Sequence, residues 1–546
     1  MDKQPVAISY RQHALDEAWD AIVIGSGIGG LTAAAVLARH AGKRVLVLER
    51  HYEPGGFTHV FHRPGYEWDV GVHYVGEVHD PRSELRRILD ALTGGRLEWQ
   101  RMPDVYDRAH IGDREYEFVS GRERFRDRMK QYFPAEARAV DGYLDAVDEA
   151  ARAGVTYLAE KVVPAPIARV AGALMRRGFL RYASRTTGDV LAGLGASPEL
   201  TGCLTAQWGD YGLPPAESSF GIHAIIAAHY LEGASYPVGG ASRIAATLAP
   251  AIHDAGGCVV TSAEVAGVVL DRHRRVAGVR MADGREFRAP LVVSDAGAGN
   301  TFGRLLPPDA PGVEAIRAEL ASVSPSLAHL CLYVGLRASS ASLGLPAANL
   351  WVHATADHDA GLARLSDDPG APFSSVFISS PSAKDPLFEQ RHPGHSTMEV
   401  VTLAPWCWFE KWKETRWKRR GAGYDEWKRE MAERLTAELV RHVPAVTGWI
   451  DYAELSTPLS TRHFANHAHG EIYGLEATPA RFRMRGLRAA TPVHGLYLTG
   501  ADLAAPGVAG GTYGGVLAAS AILGRNMIRV VAGSKPLARE ATAAAA

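Results

Sequence analysis

The apolar positions of the chain change period several times, and the changes mark the elements. Asp20 to Ile24, apolar at every position after Asp20, has the pattern of a short strand covered on both faces. A glycine-rich turn follows, Gly25-Ser26-Gly27-Ile28-Gly29-Gly30, and then an Ala-rich stretch at 31–39 that predicts a helix. A second apolar run at 44–49 completes a β-α-β unit. From 83 to 200 charged and apolar residues interleave, which predicts a mostly helical region interrupted at Phe133-Pro134. Strand patterns return at 258–261, 265–270, 276–281 and 291–293, with Asp283-Gly284 as a hairpin turn. The stretch 322–454 mixes strands at 330–334 and 398–403 with a Trp-rich helix. A strand at 495–499 then enters Gly500-Ala501-Asp502, 514–527 reads as a last helix, and an Ala-rich tail closes the sequence.

At 546 residues the chain has room for roughly two to four domains. No tandem repeat is present, so a solenoid is disfavoured. Its 59 basic and 60 acidic side chains nearly cancel, which removes any global pull toward nucleic acid. The four cysteines, Cys203, Cys258, Cys331 and Cys407, lack metal-ligand spacing and read as structural thiols. The first 19 residues lack the apolar stretch of a secretory signal, and no run reaches the roughly 18 consecutive apolar residues of a spanning helix. The expectation is a soluble cytoplasmic protein, compatible with peripheral membrane contact.

The glycines at 25, 27 and 30 suit three tasks: a tight turn after the strand, close approach of backbone to a pyrophosphate, and close packing of helix on sheet. Free amides at the helix start would face phosphate charge. Glu49, at the end of the second strand, is placed to accept hydrogen bonds from ribose hydroxyls. A dinucleotide site follows.

The next residues point to which dinucleotide. Glu49-Arg50-His51-Tyr52-Glu53-Pro54-Gly55-Gly56, running on into Phe57 and Thr58, resembles the segment of FAD oxidoreductases that passes beneath the flavin. The sequence around Gly500 and Asp502, then Gly510-Gly511-Thr512-Tyr513-Gly514, resembles the distal FAD motif of the same superfamily. That resemblance implies that Asp502 binds ribitol or nearby hydroxyls and that the amides around Gly511, Thr512 and Tyr513 lie near the isoalloxazine.

Longer segments resemble one family, that of retinol saturase, carotenoid isomerases and bacterial phytoene desaturases. They are Asp69-Val70-Gly71-Val72-His73-Tyr74-Val75-Gly76, the stretch 229–240, the stretch 263–296 with its VVSDAG ending, 381–386 and 457–460. The resemblance adds Val265 and Ser294 to the cofactor site. It implies an α/β fold with a Rossmann-type, glutathione-reductase-like FAD-binding domain interleaved with a mixed-sheet and helical substrate domain. The expected division is 20–82, 235–320 and 480–530 for FAD, and 83–234 and 321–479 for substrate, with tails at 1–19 and 534–546.

The activity the resemblance implies is flavin-dependent chemistry on carbon-carbon double bonds of a long hydrophobic substrate, a polyene, carotenoid, retinoid or unsaturated lipid. Saturation is favoured, with desaturation and redox-neutral cis-trans isomerisation as alternatives on the same scaffold. A flavin-stabilised lipid carrier without turnover is the alternative from another class. NADH or NADPH is an external reductant compatible with the sequence, which leaves the oligomeric state open.

Saturation needs a proton as well as a hydride, and the motifs bring His73, Tyr74 and Tyr513 forward as acids. The plainer reading of His73 and Tyr513 is packing against the cofactor. Lys384 and Asp385 sit in a Pro-bounded stretch expected to be an exposed turn or ion pair. His223 and His229 read as buried hydrogen-bonded residues, and the His463, His467, His469 run lacks a carboxylate pattern for a metal. The basic and apolar stretch 155–184, with Lys161, Arg169, Arg176, Arg177 and Arg181, suits an amphipathic surface that touches anionic lipid and admits substrate. The tryptophans between 406 and 427 suit helix packing or a membrane-interface belt better than nucleic acid.

Overall fold

The computed structural model describes residues 5–534, so residues 1–4 and 535–546 of the two expected tails lie outside the described residues. The strands Ala21–Ile24 and Val45–Leu48 are buried at every position, which requires cover on both faces. They pair in parallel with each other. Val292–Ser294 and Leu496–Leu498 extend this sheet on one side, Cys258–Thr261 and Ile8–Ser9 on the other, all in parallel. Residues 5–19 are therefore more than a tail, since Ile8–Ser9 form an edge strand and Trp19 is buried with the Arg44 guanidinium over its ring.

The helix after the glycine turn is longer than its Ala-rich part, running Ile28–Ala41 and stopping at Gly42 in the left-handed conformation. It lies against Gly507–Leu523, the helix expected at 514–527. That helix begins earlier because Gly510, Gly511, Gly514 and Gly515 supply its close-packing face, and it ends at Leu523 with the left-handed Gly524. A Cβ at Gly511 would lie 2.2 Å from Ile28 Cγ2, and one at Gly515 would lie 2.5 Å from the Gly29 carbonyl. The two helices thus meet backbone to backbone.

A seven-stranded sheet forms the second part, in the order Ile450–Ser456, Ala328–Leu336, Ser396–Ala404, Ser375–Ser379, Asn349–His353, Val105–Ile111 and Arg114–Val119. Neighbours are antiparallel except for the parallel pair of Asn349–His353 with Val105–Ile111. The expectation of a mostly helical 83–200 is corrected here, because Trp99–Arg101 and the hairpin at 105–119 lie inside it. Charged residues alternate along these strands much as they space along a helix. The remainder is helical as read, with Arg122–Tyr132 ending at Phe133 and Ala137–Glu160, Ala165–Ala183 and Phe220–Tyr230 packed together. The Trp-rich helix is also corrected: four of its five tryptophans precede Ala422–His442, in short turns and a loop, and only Trp427 lies on it.

Candidate functional site

A cavity of about 2020 Å³ runs between the parallel sheet and the second part, well above the roughly 300–1,000 Å³ that holds one small ligand. Of the cradle residues, Gly25, Gly27, Ile28, Gly29, Glu49, Arg50, Gly55, Gly56, Phe57 and Thr58 line it. Gly25 has φ +95°, a value side chains rarely adopt, which turns the chain from strand to helix. The helix start carries no side-chain cap and no acidic residue of its own in its first turn, which leaves amides there for an anion besides that of Gly30, which meets Asp295. Ser26 and Gly30 stand behind the wall. Ser26 donates its amide (2.9 Å) and hydroxyl (2.8 Å) to Glu49 Oε2, while the His51 amide donates to Oε1 at 2.7 Å. The carboxylate is thereby fixed at the end of its strand with lone pairs left for ribose. These features fit a dinucleotide.

From the distal segments Val265, Gly500, Asp502, Gly511 and Tyr513 line the cavity, whereas Ser294 and Thr512 are fully buried behind it. Ser294 bonds Thr301, and the Thr512 hydroxyl donates to the Val508 carbonyl at 2.8 Å. Asp502 accepts the Ala298 amide at 2.7 Å and the Leu475 amide at 2.8 Å, tying three segments together at the cavity edge. A residue the sequence reading missed is Asp295. Its carboxyl lies among Gly27, Gly29 and Gly500, each of which has room only for hydrogen beside it. Burial pushes Asp295 up to about 7, against the Gly30 amide, with Glu49 and Asp502 adding to the rise.

His73 lines the same cavity, beyond Phe57 and Val72. Its Nδ1 lies 2.9 Å from Oε2 of Glu399 without hydrogen-bond alignment, and neither atom has a hydrogen-bond partner among the described residues. Glu399 Oε1 accepts the Asp69 amide at 2.9 Å. Asp69 in turn accepts the Tyr236 hydroxyl and, at 3.0 Å, the Ala241 amide. Lys384 is not the exposed residue expected. It is buried, and its ammonium donates to the His73 carbonyl (2.9 Å), Ser379 Oγ (2.6 Å) and Asn349 Oδ1. Asp385 is buried too, paired with Arg391 at 2.8 Å.

Burial, helped by the Lys384 charge, pushes His73 down to about 3, so its imidazole is neutral. Burial lifts Glu399 to about 8 against Lys384, and lifts Asp69 to about 8 with Glu399 adding to the rise. His329, also on the cavity wall and also missed, is held down at about 4 by burial and by His73.

The other two acid candidates stand in different surroundings. The Tyr74 hydroxyl is tied to Asp210 at 2.7 Å and Asp107 at 3.1 Å, and burial with these carboxyls raises its pKa far above neutrality. Tyr513 is raised likewise by burial and by Glu77 and Glu84. Three other histidines that the sequence brought forward are held by neighbours. His223 bonds Tyr143 at 3.0 Å and Tyr211 at 2.9 Å, His229 accepts the Gly76 amide at 2.8 Å, and His463 stacks on Trp417 with centroids 4.9 Å apart. Among the described residues no group of three metal-binding side chains forms, and all four cysteines are free.

The parallel sheet, the glycine cradle and the joined cavity define a dinucleotide-binding oxidoreductase. A profile described as an NAD(P)-binding Rossmann-like domain matches residues 23–92. All-trans-retinol 13,14-reductase of Danio rerio is 37% identical over 529 residues, covering 93% of this chain and 86% of that protein. The chain belongs to the all-trans-retinol 13,14-reductase family. Prolycopene isomerase 2 of an Oncidium hybrid cultivar is 28% identical over 514 residues, covering 90% of this chain and 81% of the relative. Among solved structures, putrescine oxidase bound to putrescine superposes with a TM-score of 0.59 at 16% identity, covering 93% of this chain and 99% of that one, a likeness of fold.

Proposed function

We propose that the protein uses FAD to saturate a carbon-carbon double bond in a polyene or related long unsaturated lipid. The observation that carries this reading is the single cavity that joins the glycine cradle to His73 and continues to the helix end around Val155, Leu158 and Val162. When bound, FAD supplies the hydride chemistry. The protein's part is to hold the dinucleotide on Gly27, Gly29 and Glu49, to exclude water with Phe57, Val72, Tyr333 and Val401, and to present His73 to the carbon that takes the proton. The relationship to a retinol reductase at 37% identity supports saturation over the isomerase alternative. Reduction of the cofactor needs an outside donor, and NADH or NADPH is the first to test.

Anaerobic mixing of pre-reduced holoenzyme with a retinoid or carotenoid gives one saturated product and one oxidised FAD per turnover. Isomerised product with the flavin still reduced overturns the saturase reading in favour of the isomerase. Lipid binding with neither product nor flavin oxidation leaves the carrier.

Membrane contact is a second part of the proposal, supported by four exposed apolar residues, Val155, Ile167, Val170 and Leu174, at and beside the apolar end of the cavity. The basic residues assigned to this surface are corrected in part. Lys161 and Arg176 are buried, donating to the carbonyls of Leu487 and of Phe482 and Met484, while Arg169, Arg177 and Arg181 are exposed. No single helix among the described residues is long and apolar enough to cross a bilayer. In flotation with anionic vesicles the protein rises with the lipid. The Val170→Asp, Leu174→Asp variant binds at least about tenfold more weakly, since each buried aliphatic side chain contributes roughly 1.5–3 kcal/mol. Wild-type protein left at the bottom of the gradient overturns the contact.

A further inference from the structure

The apolar part of the cavity carries one polar spot. Leu158, Ile225, Ile226 and Ile472 line it and belong to a single apolar cluster with Tyr74 and Tyr230. On the same wall stands Asp210, and Tyr473 follows Ile472. Four segments far apart in sequence thus bring one carboxyl and three phenols together.

Tyr74 stands between two carboxyls in contrasting positions. Asp107 is fully buried behind the wall, where it accepts Gln207 Nε2 at 2.7 Å, Asn349 Nδ2 at 2.8 Å and Trp351 Nε1 at 3.0 Å, besides the Tyr74 hydroxyl at 3.1 Å. The protein satisfies that group from within. Asp210 is on the wall itself, and its one side-chain partner among the described residues is the Tyr74 hydroxyl, 2.7 Å from Oδ2. A carboxyl has about four lone-pair sites, so Oδ1 of Asp210 keeps its accepting capacity. The turn that carries it, Trp208–Asp210, is fixed by the Tyr473 hydroxyl, which donates to the Gly209 carbonyl at 2.9 Å.

A donor faces the same space. Tyr230 ends the helix Phe220–Tyr230, is 7% exposed, and stacks on Tyr74 with centroids 4.4 Å apart. Its hydroxyl has no hydrogen-bond partner among the described residues. Burial, and then the Asp210 carboxyl more than any other charged group, raises its pKa well above the ordinary phenol value, so it keeps its O–H. The spot adjoins His73, because the Phe377 ring packs on both His73 and Tyr74, with centroids 4.9 Å and 6.3 Å away.

We infer that Asp210 and Tyr230 form a specificity subsite for a hydroxyl group on the polyene. Asp210 Oδ1 accepts the proton of that hydroxyl, and the Tyr230 phenol donates to its oxygen. An alcohol offers one donor and one acceptor at a single atom, whereas an ether offers the acceptor alone and leaves the Asp210 oxygen bare in an apolar wall. This deepens the saturase reading above by naming the group on the substrate that the protein reads.

The test measures binding to oxidised holoenzyme, with no turnover. A retinoid alcohol and its methyl ether are titrated in, and the quenching of tryptophan fluorescence is followed. Wild type prefers the alcohol by at least about tenfold, a factor within reach of one hydrogen bond to a charged group. Asp210→Leu keeps the branched shape of the side chain without its acceptors, and the preference falls below about threefold. Tyr230→Phe keeps the ring on Tyr74 and weakens both probes by at least about threefold, since both oxygens accept from the phenol. This second variant decides the matter where Asp210→Leu fails to fold. A wild type that binds neither probe, or binds both equally, overturns the subsite. So does a full preference surviving in Asp210→Leu, which would trace it to the bulk of the methyl group, or a Tyr230→Phe protein that binds both probes as wild type does. None of these results bears on product formation. Reduced wild-type enzyme that shows the preference yet forms no saturated product supports the subsite and overturns the saturase reading.

Discussion

Purified Gly29→Val protein contains at most a tenth of the FAD found in wild type. A Cβ at Gly29 would stand 2.8 Å from both Cα and N of Gly500 and 2.7 Å from the Asp295 carboxyl. Two of those three neighbours are backbone, which cannot swing aside as a side chain can, and valine adds two methyl groups to the collision. The strain falls at the point where the first helix meets the chain's last strand, so the cradle opens at the site of the pyrophosphate. We expect FAD affinity to drop by at least about 100-fold, equivalent to about 2.7 kcal/mol. The ratio of flavin to protein absorbance after gel filtration measures it, and full occupancy in the variant would mean that the cofactor sits elsewhere.

His73→Gln should retain FAD and lose saturation by about 10²–10⁴-fold. Glutamine is close to the imidazole in reach, but its amide has no proton that it can give up to a carbon. Tyr513→Phe serves as the comparison. Its hydroxyl is held far above neutrality by burial and two carboxylates, so its removal changes the rate by less than about threefold. Single-turnover oxidation of reduced enzyme by a polyene separates the two. Wild-type kinetics in His73→Gln would remove this residue from the chemistry.

The contrast between what was and was not legible in the sequence follows from distance along the chain. The glycine turn and Glu49 were legible because phosphate and ribose recognition needs a turn, a helix start and a strand end within thirty residues. Glu399 was invisible because its meaning comes from Asp69, 330 positions earlier. Lys384 read as a surface residue because a lysine between prolines usually is one. Only the fold supplies its three acceptors, Asn349 and Ser379 on the sheet and the carbonyl of His73 from the segment packed against it. The hairpin at 105–119 was missed for another reason, since alternating charge suits a half-covered strand as well as a helix face. Lys161 and Arg176 show the same effect in reverse, basic residues in an apparent amphipathic stretch whose partners are carbonyls near 485.

The parallel sheet has a consequence for the order of events on the ribosome. Its strand Leu496–Leu498 and the helix Gly507–Leu523 come from the last tenth of the described chain, yet they form one wall of the cradle begun at Gly25. A nascent chain carries the glycine turn within its first seconds, at roughly 5–20 residues per second, and cannot close it until synthesis is almost over. The cradle is therefore complete only when the last segment has been made, and a chain halted before residue 500 lacks the helix that covers Ile28–Ala41.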